Sequence, residues 1–442
     1  MECSVLVLGA GPGGYVCAIR CAQAGLDTIV VDEAKVGGTC LNVGCIPSKA
    51  LIHAADEFWT MSHASGLGIS ANPTLDFAAT GQWKDGIVDR LTGGVEGLLK
   101  RAGAKRVQGT ARFMDGKRVR LNDGTEITAE KIIIATGSAP VELSGLPFGR
   151  HILSSTDALA LTEVPRSLAV VGAGYIGLEL GTAFAKLGAK VTLIESEARI
   201  MPAYDAALTR PVAQRLEALG VEVMTRTKAL GHASGTLETD QGRVEAEKVL
   251  VTVGRRPRTG GIGIDELALT LDGPFIKIDA QGQTSMRGIY AIGDVTGEPM
   301  LAHRAMAQAE IVADHIAGRP AAWDKRAIPA ICFTDPEIVS VGDAPGAEGT
   351  ATAEFPLAAN GRSLTLDRPD GFVRITHRLA DHAITGIQAV GAGVAELSAS
   401  FALAIEMGAR LEDIAETIHA HPTQSEAFQE TALRSLGHGL HL

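Results

Sequence analysis

SVLVLGAGPGGYVCAIRCAQAGLDTIVVDE at 4–33 and SLAVVGAGYIGLELGTAFAKLGAKVTLIES at 167–196 are one pattern written twice. Each opens with a short apolar run of strand type and turns through G-x-G-x-x-G, at Gly9, Gly11, Gly14 and at Gly172, Gly174, Gly177. Each then continues with helical periodicity and ends in a second apolar run. Strand, glycine turn, helix and strand make a βαβ unit of the dinucleotide-binding, Rossmann kind. The glycines matter because a turn without Cβ atoms lets backbone N–H groups and the helix N-terminus meet a pyrophosphate directly. About 18 residues past the third glycine, each copy places a carboxylate at a strand end, Asp32 and Glu195. An acid there accepts from ribose hydroxyls and repels a 2′-phosphate, so the second site is expected to prefer NAD to NADP, with Arg199 nearby as the opposing charge. In the first copy Asp32, rather than its neighbour Glu33, is the expected ribose acceptor.

The rest of the chain agrees with a soluble α/β protein of several domains. Its 442 residues exceed one ordinary domain, and 46% hydrophobic with 21% charged residues is ordinary for a globular core. Glycine is the outlier, 52 residues or about 12% against an average near 7%. The net charge of -11 is spread without blocks, which gives no reason to expect a nucleic-acid or membrane partner. No apolar run is long enough to span a bilayer and no secretory leader is visible, so a cytoplasmic location is expected. Six cysteines are too few for a structural scaffold, and the close pair Cys40 and Cys45 needs its own explanation.

After the first βαβ unit come helical stretches from about Pro47 to Ala64 and Trp83 to Arg101. Strand signals follow in KRVQGTARF and KIIIATGS, and the second nucleotide unit closes with KVLVTVGRRP at 248–257. GIYAIGDV at 288–295 resumes the style of the first domain, with a helix from Ala302 to Ala317, so that domain is expected to be discontinuous. From about Ile328 alternating strands such as GFVRITH and ITGIQAVG mix with helices FALAIEMG and LEDIAETIHA, which indicates a separate α+β domain. The expected boundaries are 1–141, 142–257, 258–327 and 328–442.

GGTCLNVGCIPSK at 37–49 carries the chemistry. Five residues of regular helix rise about 7.5 Å, whereas a disulfide needs Cα atoms roughly 4.4 to 6.8 Å apart. If Cys40 and Cys45 are to bridge, the backbone between them must be irregular. Gly44 permits this, and Pro47 suits the first turn of a following helix whose N-terminus would favour Cys45 as thiolate. A distorted small ring is also easier to reduce than a structural bridge.

This segment resembles the active-site signature of the pyridine nucleotide-disulfide oxidoreductases. The resemblance extends over the whole chain through ATG (135–137), GRRP (254–257), AIGD (291–294) and HAHPTQSE (419–426). It implies two Rossmann-like FAD/NAD(P)-binding domains plus a C-terminal α+β dimerisation domain, with FAD on 1–141 and 258–327 and NAD on 142–257. It implies that Cys40 and Cys45 form the redox disulfide beside the flavin, that Lys49 lies near flavin N5 and pairs with Glu179, and that Asp294 holds the ribityl or pyrophosphate part of FAD. Thr136, Gly137, Gly254 and Ala302 are expected cofactor contacts by the same likeness, and no metal is implied.

Removing protons from a dithiol at neutral pH suits an imidazole. His421 is the candidate, with Glu426 five residues on to orient it as a carboxylate does in a catalytic triad, and with His419 in support. The family further implies a cis His421–Pro422 peptide and a histidine supplied by the second subunit of a homodimer. Within the family, HAHPT with its downstream Glu is similar to dihydrolipoamide dehydrogenases and to glutathione reductase, and Glu195 favours the former. Mercuric reductases carry a terminal cysteine pair where this chain ends GHGLHL. WKDGIVDRLTGGV, PLAANGRS and ALRSLGHGLHL resemble the form serving branched-chain 2-oxo acid dehydrogenase complexes. The implied partners are therefore the lipoyl-bearing acyltransferase subunits of a 2-oxo acid dehydrogenase complex. The alternatives are a glutathione-reductase-like enzyme and a low-turnover flavoprotein scaffold or redox sensor.

Overall fold

The structure, a computed structural model, describes residues 1–63 and 67–441. The expected end of the first helical stretch at Ala64, and Leu442 of the terminal segment, lie outside the described residues. The chain forms two compact units, one from Met1–Leu143, Leu153–Val164 and Val253–Asp324, the other from Ser144–Ile152, Pro165–Thr252 and Lys325–Leu442.

In the first unit the strand Glu2–Leu8 lies between Thr28–Asp32 and Glu126–Ile134, parallel to both, with Lys105–Gln108 beyond Thr28–Asp32. Glu126–Ile134 changes partners along its length. Its first half alternates buried and exposed residues and pairs antiparallel with Arg118–Leu121, whereas Ile132–Ile134 is wholly buried and pairs in parallel with Ile289–Ala291. The switch is written in the residues, since an antiparallel ribbon can face water on one side and a parallel strand is covered on both. One core packs Leu6, Ile132 and Ile134 against Phe113 and Val119, and the other packs Val5, Val7 and Ile133 against Cys17, Cys21 and Ala309.

The helix expected around Trp83 to Arg101 is longer, Phe77–Ala102. Asp76 caps it by accepting from the Ala79 N–H at 2.9 Å, and Gly103 ends it at φ +85°. The first turns lack apolar periodicity, so the capping aspartate was the available signal. The GRRP segment also divides differently from the reading of 142–257 as one piece. Lys248–Val251 joins the second nucleotide sheet, but Arg255–Pro257 pairs antiparallel with Ser138–Pro140 in the first unit.

The second unit repeats the nucleotide fold, with parallel strands in the order Glu222–Met224, Lys190–Ile194, Ser167–Val171, Lys248–Val251. Its C-terminal part is a five-stranded sheet, order Ala330–Cys332, Glu337–Gly342, Ile384–Gly391, Phe372–Arg378, Thr350–Pro356, antiparallel throughout. Helices Ser398–Glu406 and Ser425–Ser435 bring Phe401 and Phe428 edge to face at 5.0 Å in its core. The mixed α/β class and the α+β C-terminal domain are as the sequence indicates.

A charged cluster ties this unit together. Asp335 accepts from Lys186 at 2.6 Å and from Arg215 at 2.8 Å, and also meets Arg368, while Lys186 is only 5% exposed. Burial pushes the Asp335 carboxyl up, but the Lys186 and Arg368 charges outweigh it and hold it well below the ordinary carboxylate range. Its stabilisation is therefore complete above the unfolded carboxylate range and is lost only as pH falls through the lowered native value. Asp335→Asn strands the Lys186 ammonium and is expected to lower stability by about 3 kcal/mol. A urea unfolding midpoint at neutral pH unchanged from the parent would contradict this.

Candidate active site

The two glycine loops are built alike. Gly9 and Gly172 have φ +102° and +99°, and the helices Pro12–Gln23 and Tyr175–Lys186 start directly after Gly11 and Gly174. A Cβ on Gly9 would lie 2.3 Å from the Ala135 carbonyl oxygen, one on Gly14 1.8 Å from that of Gly9, and one on Gly177 2.1 Å from that of Gly172. Those glycines serve contacts within the protein. The middle ones differ, because a Cβ on Gly174 meets nothing within 4 Å and one on Gly11 only the Gly38 Cα at 4.0 Å. Each loop thus has a bare backbone before a 12-residue helix, which fits a pyrophosphate.

The acids hold these loops. Asp32 accepts from the Ala10 N–H at 2.6 Å and the Ala34 N–H at 2.8 Å, and Glu195 accepts from Ala173 at 2.8 Å and Glu197 at 2.9 Å. A cavity of about 490 Å³ opens beside the first loop, lined among others by Gly9, Asp32, Glu33, Thr110, Thr136 and Arg258. That volume suits part of a dinucleotide. Glu33 shares the wall, paired with Arg258 at 3.1 Å. In the second unit Arg199 turns one nitrogen to the Pro202 carbonyl at 2.9 Å.

Gly137 and Gly254 both have positive φ, +73° and +131°, and their carbonyls accept from Arg258 and Val141. Ser138 Oγ donates to Asp294 at 2.5 Å and accepts from Arg255 Nε at 2.7 Å. Ser138 and Arg255 were missed in the sequence, since nothing local links residues so far apart. Ala302 begins the helix Ala302–Ile316.

Cys40 lies in the short helix Gly38–Val43 and Cys45 is the first residue of the helix Cys45–Ser62, with Gly44 the break between them. A Cβ on Gly44 would come within 2.8 Å of the Thr39 carbonyl oxygen, so this chain path needs glycine. Asn42, also missed, steadies the short helix by donating to the carbonyls of Val36 and Gly38, each at 3.0 Å. The two sulfurs are neighbours. The hydrogen bond with Cys45 is the main cause that pushes the Cys40 thiol far up, burial adds to it, and the Lys49 charge opposes it.

In the second unit Glu179 is buried and accepts from the Phe333 N–H at 2.9 Å. His421 Nδ1 is 2.9 Å from Glu426 Oε1, and Glu426 Oε2 accepts from the Thr423 N–H at 2.7 Å. The His421–Pro422 peptide is cis, and His419 Nδ1 faces the Thr417 carbonyl. The His421 side chain is 80% exposed on the single chain. No cluster of metal-ligating side chains occurs among the described residues.

Paired nucleotide loops with a cysteine pair set at a helix break define a flavin- and nicotinamide-linked disulfide oxidoreductase. The chain belongs to the pyridine nucleotide-disulphide oxidoreductase family, which matches residues 3–309, with the family's dimerisation domain at 328–432. It is 52% identical to the dihydrolipoyl dehydrogenase of Pseudomonas aeruginosa, covering 100% of this chain and 99% of that one. It is 44% identical to that of Geobacillus stearothermophilus, covering 100% and 98%. Among solved structures it is similar to LpdA of Mycobacterium tuberculosis, with a TM-score of 0.91 and 26% identity over 98% of this chain and 99% of that chain.

Proposed function

We propose that the chain is a dihydrolipoyl dehydrogenase that oxidises dihydrolipoyl groups on the acyltransferase subunits of a 2-oxo acid dehydrogenase complex, with NAD as final acceptor. The observation that carries this reading is the Cys40–Cys45 pair at the Gly44 break, on the same unit as the first nucleotide loop. Glu195, at the end of the strand Lys190–Ile194 and accepting from the Ala173 N–H of the second loop, favours NAD over NADP.

FAD and NAD are the cofactors. Gly9, Gly11, Gly14 and Asp32 would hold the pyrophosphate and ribose of FAD, with Thr136, Gly137, Asp294 and Ala302 around the remainder. Gly172, Gly174, Gly177, Glu195 and Gly254 would do the same for NAD. Bound FAD supplies the two-electron relay between the dithiol and NAD. The chain's own residues handle sulfur and protons. A lipoyl thiol gives its proton to His421, and its sulfur attacks Cys40 in the Cys40–Cys45 disulfide, releasing Cys45 as thiolate. The second lipoyl sulfur then displaces Cys40, which leaves a lipoyl disulfide and two reduced cysteines. Lys49, on the helix that Cys45 opens, would stand near the flavin, and the buried Glu179 is the other charged residue proposed for catalysis.

The work is divided among an FAD domain (1–141 with 258–327), an NAD domain (142–257, apart from the strand Arg255–Pro257 that pairs in the first unit) and an interface domain (328–442). The active assembly is a cytoplasmic homodimer in which His421 serves the dithiol of the partner subunit. The exposure of His421 on one chain supports this arrangement. No helix among the described residues is long and apolar enough to cross a membrane.

Turnover of free dihydrolipoamide with NAD tests the activity. A flavin-loaded protein that makes no NADH would leave the scaffold or sensor reading, and faster reduction of glutathione disulfide with NADPH would favour a glutathione reductase. Lipoyl-bearing subunits from different complexes, mixed in turn, identify the partner. Glu195→Gln keeps an acceptor but loses the charge, and kcat/KM for NAD is expected to fall about 10- to 100-fold while preference over NADP narrows. Steady-state rates with both nucleotides check it.

A further inference from the structure

The PLAANGRS segment (356–363) lies far in sequence from the proposed acid-base pair, yet one of its residues reaches that pair's loop. Asn360 is 4% exposed. Its Oδ1 accepts from the Ser363 N–H at 3.0 Å and from Ser363 Oγ at 3.1 Å, capping the helix Gly361–Thr365. A backbone N–H can only donate, so the amide oxygen must face Ser363 and the amide nitrogen must face the other way. There Nδ2 donates to the Thr423 carbonyl at 3.0 Å. Thr423 is also the residue whose N–H holds Glu426 Oε2, while Glu426 Oε1 holds His421. A second tie lies alongside, where Gln424 Nε2 donates to the Ala392 carbonyl. Gly393, at φ +76°, gives Gln424 room, since a Cβ there would stand 2.9 Å from Gln424 Oε1.

We infer that Asn360 is a positioning residue for the proton acceptor, setting the His421 imidazole through Thr423 and Glu426, with Gln424 as the neighbouring anchor. The inference rests on the proposed role of His421. The physical need is clear from the exposure of the ring, because little besides Glu426 constrains an imidazole that is 80% open on its own chain. Fixing the Thr423 backbone on both its N–H and carbonyl sides fixes the carboxylate that orients the ring. Catalytic groups held this way lose large factors when displaced by about 1 Å.

Asn360→Asp is the discriminating variant, since a carboxylate still caps Gly361–Thr365 but cannot donate to Thr423. Dihydrolipoamide oxidation is expected to fall about 10- to 100-fold in kcat with little change in KM. NADH oxidation by ferricyanide in the same samples needs no imidazole and should match the parent, which reports folding and cofactor loading. The second readout is a double-mutant cycle. In a His421→Gln background Asn360→Asp should cause no further loss, whereas a merely structural role would lower both backgrounds equally. Gln424→Ala, read the same way, decides the matter if Asn360→Asp does not fold. Parent-like kcat, or equal losses with and without His421, would overturn the inference. A parent protein unable to oxidise dihydrolipoamide would instead overturn the proposed function.

Discussion

Cys45→Ser is expected to abolish NADH formation from dihydrolipoamide, by a factor of about 10⁴ or more, while the protein stays folded and yellow. The size follows from the electron count. Without both sulfurs there is no disulfide, and the two electrons from the substrate have no acceptor on the chain. The substitution is otherwise mild. Cys45 is the first residue of the helix Cys45–Ser62, its side chain is exposed, and serine is well tolerated at a helix start. The nucleotide loop at Gly9–Gly14 is separate from it, so FAD content read from the visible flavin absorbance should equal that of the parent. The NADH–ferricyanide rate should also persist. Cys40→Ser should fail equally in dithiol oxidation, and turnover surviving in either variant would remove the sulfur relay.

The features legible in the sequence were those repeated or compressed into short segments. The two βαβ units match position by position, and the structure gives Asp32 and Glu195 the same hydrogen bonds to the residue after the first glycine. The break at Gly44 followed from comparing helix rise with disulfide reach. The alternation of GFVRITH and ITGIQAVG appeared as adjacent antiparallel strands. What stayed hidden depends on pairing between distant segments. Arg255 seemed to end the second nucleotide unit, but its strand pairs with Ser138–Pro140 and its guanidinium reaches Ser138 beside Asp294. Asn360 lies in PLAANGRS, a segment read only for its resemblance, and only the fold brings it to Thr423. Hydrogen bonds of this kind have no period, and so no pattern of residue types announces them.

Glu426→Gln is expected to lower kcat/KM for dihydrolipoamide about 10³-fold, more than the loss of one ordinary hydrogen bond would suggest. The reason is tautomer control. Glu426 Oε2 takes the Thr423 N–H, and Oε1 takes a hydrogen from His421 Nδ1, which leaves Nε2 bare to receive a proton. In the glutamine the single oxygen must face Thr423, so its NH2 faces Nδ1, and the neutral ring then carries its hydrogen on Nε2, where it cannot accept another. The pH profile gives an independent check. Burial pushes the Glu426 carboxyl up, but the Thr423 N–H and His421 outweigh it and hold it below the ordinary range. In the parent the carboxylate therefore stays charged well into acid, so its own protonation should not shape the pH profile of kcat/KM near neutrality. If Glu426→Gln kept the parent's rate, the proton would have to leave the dithiol by a route other than His421.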